Sequence, residues 1–70
     1  MVISLILLPG TGQRDVTLPT GATLSDLVAQ EDLGGRQIVL NGEAIPASAF
    51  GSTTLASGQE VGAIGASKGN

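Results

Sequence analysis

The groups in this chain that could do chemistry are few: the adjacent carboxylates Glu31-Asp32, the glycine-bracketed turn Gly10-Thr11-Gly12, and the stretch Gly65-Ala66-Ser67-Lys68-Gly69 before Asn70. A carboxylate pair serves metal binding or acid–base work when both groups reach one point. Consecutive helical residues point in different directions, and no third ligand lies near in sequence. The glycine stretches could cradle phosphate with backbone N–H groups, but neither has the spacing of a P-loop or a dinucleotide fingerprint, and no helix follows the second. The 70 residues include no Cys and no His, which removes thiol nucleophiles, disulfides, zinc knuckles and the commonest general base. No nucleophile–base pair can be named, so the chain reads as a protein that is not an enzyme, with no metal and no cofactor.

Six acidic against three basic side chains give a net charge of −3. Arg14, Arg36 and Lys68 cannot form a phosphate-neutralising stripe, and Phe50 is the only aromatic residue available for base stacking, so nucleic acid is not an expected partner. Hydrophobic residues make up 41% and charged residues 13%, the composition of a chain that folds. Length allows one small domain, close to the lower limit for a core without disulfide or metal. The apolar run Val2 to Leu8 lacks a basic leader, meets Pro9-Gly10-Thr11-Gly12 instead of a small-residue cleavage site, and is too short to span a bilayer. It reads as a strand, with no membrane partner and a cytoplasmic location expected.

Positioning elements follow from periodicity. In Val2 to Leu8, Ile3, Leu5 and Leu7 share one face and Val2, Ser4, Ile6 and Leu8 the other. Alternation over Asp15-Val16-Thr17-Leu18 marks a second strand, and the two form a hairpin. Thr23 is placed to cap a helix that starts at Leu24, with Asp26 in its first turn. Leu24, Leu27 and Val28 form its apolar stripe, and the helix runs for about ten residues before Gly34-Gly35 stops it, with Leu33 folded back onto the core. Gln37 to Leu40 is a third strand, and Asn41-Gly42 signals a type I′ turn into Glu43-Ala44-Ile45. Ala47 to Phe50 suits one helical turn, Thr53-Thr54-Leu55 approaches the sheet again, and Ser57-Gly58 turns into the last strand, Glu60 to Ile64. That order predicts an α+β fold of the β-grasp type: a mixed sheet of four or five strands packed on one helix, with the first and last strands parallel at its centre. Residues 1–64 form the single domain and 65–70 a flexible C-terminal tail.

A ten-residue helix covers one sheet face, yet the first strand is apolar on both, and Val39 faces opposite Ile38 and Leu40. Either a protein partner or the chain's own tail and loops cover the second face. Val2, Ile6 and Val39 are therefore candidate partner-binding residues. Phe50 is read as a core plug at the open end of the sheet, or as an interface residue. Glu60 is either solvent-facing or paired with a basic partner.

Ile38-Val39-Leu40-Asn41-Gly42-Glu43-Ala44-Ile45-Pro46, then Phe50, Thr54-Leu55 and Ser57-Gly58-Gln59-Glu60-Val61, resemble the small sulfur-carrier proteins of the ubiquitin-like superfamily. The likeness is nearer to the thiamine carrier ThiS than to the molybdopterin-synthase subunit MoaD. Leu18 to Val28 match the family's strand, turn and helix start, so the resemblance spans nearly the whole chain. It implies a flexible tail ending in Gly-Gly whose carboxylate is adenylated and converted to a thiocarboxylate, with an adenylating enzyme and a thiazole synthase as partners. The tail here is Lys68, Gly69 and Asn70, with Asn70 where the family has its last glycine, and Gln59 stands where the family has Asp. With these departures the expectation is a non-enzymatic interaction module. Such a module could be a small subunit or decoration component of a larger assembly such as a virion, held by structural neighbours. The alternative is an authentic sulfur carrier for thiazole biosynthesis.

Overall fold

The computed structural model describes residues 1–9 and 12–65. The expected tail residues Lys68, Gly69 and Asn70, and the turn residues Gly10 and Thr11, lie outside the described residues.

β-branched and leucine side chains at almost every position make β1 (Val2–Leu8) a central strand. It pairs antiparallel with β2 (Gln13–Thr17), Ile3 opposite Val16 and Leu5 opposite Arg14. This second strand starts and stops earlier than its alternation suggested. Leu18 instead follows the strand and is buried, its N–H bonded to the Met1 carbonyl at 2.9 Å.

Helix α1 (Leu24–Glu31) opens on a reciprocal cap. The Asp26 N–H donates to Thr23 Oγ1 at 3.4 Å, and the Thr23 N–H donates to Asp26 Oδ2 at 2.9 Å. Two of the N–H groups a helix start leaves unpaired are thereby satisfied, and the carboxylate sits at the positive end of the helix dipole. Leu24 and Leu27 are fully buried, and Val28 packs against the core. Burying each leucine contributes about 1.5–3 kcal/mol relative to leaving it exposed.

The helix is eight residues long, shorter than expected, and Gly34-Gly35 do not stop it. Asp32 ends it in the left-handed conformation (φ 56°, ψ 52°), which a short polar side chain tolerates. This early turn lets the Leu33 N–H reach the Val28 carbonyl at 2.9 Å and delivers Leu33 into the core. The glycines serve the next turn, where Gly35 has φ 84°.

Strand β3 (Gln37–Leu40) returns through Asn41 (φ 53°) and Gly42 (φ 84°) to β4 (Glu43–Ile45), the two positive φ angles of a type I′ turn. The helical turn after Pro46 is a 3-10 helix extending to Ser52. Thr54 forms an isolated bridge with Thr23, with Leu24 N–H bonded to the Thr53 carbonyl and Leu55 N–H to the Ala22 carbonyl. The segment thus clamps the start of α1, and Leu55 is buried beneath it. Strand β5 (Glu60–Ile64) then enters the middle of the sheet, parallel to β1 and antiparallel to β3.

The strand order is β2-β1-β5-β3-β4 in one five-stranded mixed sheet. Ile3, Leu5, Ile38, Val61 and Ala63 point toward α1 and are buried, with Leu24 and Leu27 above them. The fold is the expected β-grasp.

Candidate functional site

The same alternation that buries one face leaves the other open. Strand register aligns Ile6, Gly62 and Val39 side by side across β1, β5 and β3, with Leu8, Ile64 and Gln37 in the row beside them. Gly62 is the low point. A Cβ built there would lie 3.7 Å from the Val39 Cβ, ordinary contact, so the missing side chain leaves a dent in the sheet instead of relieving a clash. The resulting concavity of about 300 Å³ is lined by Ile6, Leu8, Val39, Ile64, Asn41 and Glu60. Val2 and Leu8, on the same face of β1, are 43% and 44% exposed.

Two carboxylates lie on this face. Glu60 and Asp15 flank Ser4 in one row of the register. Arg14, one residue from Asp15, points to the helix side, where its guanidinium donates to Glu31 Oε1 at 2.5 Å. That contact, with a further bond from Gln30, holds the Glu31 carboxyl below its ordinary pKa. Glu31 is thus engaged in joining β2 to α1, and its neighbour Asp32 is the helix C-cap. Among the described residues no group of three or more His, Cys, Asp or Glu could hold a metal.

Of the residues the sequence singled out, Ile6, Val39 and Glu60 line the concavity and Val2 shares its face. Phe50 is elsewhere. It sits in the 3-10 helix, partly buried against the core, and lines a separate groove of about 530 Å³ on the helix side, with Leu33, Arg36, Ile38, Ile45 and Pro46. Gly62 and Ile64 were not singled out. Their signal was the period-2 pattern of Glu60 to Ile64, which places both on the face of Glu60. Leu8, already assigned to the second face of β1, belongs to the same surface.

The last described residue lies at the edge of this site. The Gly65 N–H donates to the Leu8 carbonyl, and a Cβ at Gly65 would meet that oxygen and Arg36 Nη1 at 3.3 Å each. A side chain at Gly65 would need these neighbours to give by a few tenths of an ångström.

No protein-family model and no curated protein matches the chain. Solved structures do. The thiamine biosynthesis protein ThiS from Geobacter metallireducens superposes with a TM-score of 0.69 at 20% identity, covering 96% of this chain and 99% of that one. The ubiquitin of Caldiarchaeum subterraneum superposes with a TM-score of 0.67 at 18% identity, covering 100% of this chain and 98% of its own. The chain has the ubiquitin-like β-grasp fold that both of these structures share.

Proposed function

We propose that this protein is a non-enzymatic interaction module that docks a protein partner on the open face of its sheet. The observation that carries this reading is the apolar row Ile6, Gly62 and Val39, with Leu8 and Ile64, on the face opposite the helix, which none of the other described elements covers. A dent flanked by branched side chains takes an inserted apolar side chain, and its burial supplies most of the affinity at such a contact. Glu60 and Asp15 on the same face favour a partner with a basic rim, since complementary charge steers encounter and disfavours wrong partners. A role as a small subunit or decoration component of a larger assembly, including a virion, follows the same logic, because neighbours in an assembly cover such a face continuously.

The test is site-directed photo-crosslinking in the native source, with the crosslinker at Val39 or, as a control, at exposed Ser25 on the helix. The reading expects one discrete adduct from the Val39 probe, lost when Ile6 is changed to Glu, and none from Ser25. Equal labelling from both positions, or adducts indifferent to Ile6→Glu, overturns it.

The fold likeness to ThiS favours a second reading, a sulfur carrier for thiazole synthesis, in which an adenylating enzyme and a thiazole synthase are the partners. Incubation with an adenylating enzyme, ATP and a sulfur donor then yields the mass gain of an oxygen-to-sulfur exchange at the C-terminus. No adenylate and no such gain ends that reading.

A further inference from the structure

The turn between β3 and β4 carries a reaction that docking does not use. Asn41 and Gly42 are both exposed, and Asn41 lines the rim of the concavity together with Glu60. The residue after Asn41 presents little hindrance: nothing lies within 4 Å of the place a Gly42 Cβ would take. The Gly42 N–H donates to no backbone carbonyl among the described residues, and the Asn41 amide makes no side-chain hydrogen bond among them. An exposed side-chain amide, a thermolabile group, thus adjoins an unengaged, unhindered backbone nitrogen.

We propose that Asn41 is a self-modification site, converting from an amide to a carboxylate by ring closure onto Gly42. The deprotonated Gly42 nitrogen attacks Asn41 Cγ; the N–Cγ bond forms, the Cγ–Nδ2 bond breaks, and Nδ2 leaves as ammonia with a proton taken from solvent. Water then adds to one of the two imide carbonyls. Opening at Cγ gives aspartate, and opening at the former main-chain carbonyl gives isoaspartate. Nothing is oxidised or reduced, and water is the only co-reactant.

Either product changes the rim. The carboxylate joins Glu60 and takes the net charge from −3 to −4. Isoaspartate also routes the main chain through an extra carbon, which a two-residue turn with Leu40 opposite Glu43 cannot absorb without loosening β4. The effect on a partner rests on the docking reading; the chemistry does not.

The folded full-length chain, incubated at mildly alkaline pH beside a sample in urea, tests the site by peptide mapping. Expected is the amide-to-acid mass increment in the peptide spanning residue 41, faster as pH rises, with part of the product accepting a methyl group from an isoaspartyl methyltransferase. The aspartate product co-elutes on ion exchange with the Asn41→Asp variant. An unmodified residue 41 in the folded chain after the urea sample has converted overturns the proposal, and so does a mass increment found at Asn70 alone. Both results are read without any partner, so they stand apart from the crosslinking experiment.

Discussion

The two faces of the sheet are built from the same strands, one residue out of step. Leu5 and Val61 point to the helix and are fully buried, while Ile6 and Gly62, their immediate neighbours, floor the open side. Helix α1 has eight residues, a length of roughly 12 Å at the usual rise, and it covers one face only. Hydrophobicity alone does not separate the two sets of side chains. Cover does, and what it separates is stability on one face from contact on the other.

The largest effect should come from Leu5→Ala, which opens a cavity among Ile3, Val61, Leu24 and Leu27. A loss of about 2–5 kcal/mol is expected, enough to unfold most of a domain this small, read as the urea midpoint. Ile6→Ala, one residue along, should cost about 1 kcal/mol or less. Equal losses at the two positions would break the comparison and show the open face to be a second core.

The next effect concerns the cover itself. Thr23→Ala removes the side-chain half of the cap and should cost about 1 kcal/mol, with Asp26→Ala losing the reciprocal half. Gly62→Ala works in the opposite direction. It restricts the unfolded chain and fits at ordinary contact distance from Val39, so a gain of about 0.4–1 kcal/mol is expected. The same methyl group shallows the dent, so a more stable protein that crosslinks its partner less well is the result that sharpens the contrast between the faces.

The smallest effect lies at the Arg14–Glu31 pair, which is partly exposed. Arg14→Ala should cost about 0.2–1 kcal/mol. Because folding lowers the Glu31 pKa below its ordinary 4.5, the pair's contribution is full above 4.5 and disappears as pH falls through the lower, folded value. Stability curves of wild type and Arg14→Ala should therefore converge on the acid side, and a constant gap down to the lowest pH would exclude the ion pair as its source.

Local chemistry was readable where one residue type answers one backbone demand. Asn41-Gly42 takes the positive φ angles of its turn, Thr23 caps the helix, and Glu60 to Ile64 is a strand with the expected bounds. Features set by distant partners were not. Thr54 meets Thr23 across thirty residues, and Asp32 ends the helix before two better-suited glycines because Leu33 is needed in the core. The dent is of the same kind: Gly62 is an unremarkable strand glycine until register places Ile6 on one side of it and Val39 on the other. Phe50, the sole aromatic, gave no local sign that it would line the helix-side groove, away from the open face.

The position of β5 also governs how the chain can come together during synthesis. Among the described residues the β1–β2 hairpin and the β3–β4 hairpin share no ladder; β5 joins them. Until Glu60 to Ile64 leave the ribosome, the nascent chain holds two separate hairpins, each with an apolar edge that has no neighbour, the kind of edge that invites pairing with another chain. Closing the sheet is then a single late event that joins residues some sixty positions apart, the long-range contact that slows folding most. The strand at the middle of the sheet is made after the four it joins.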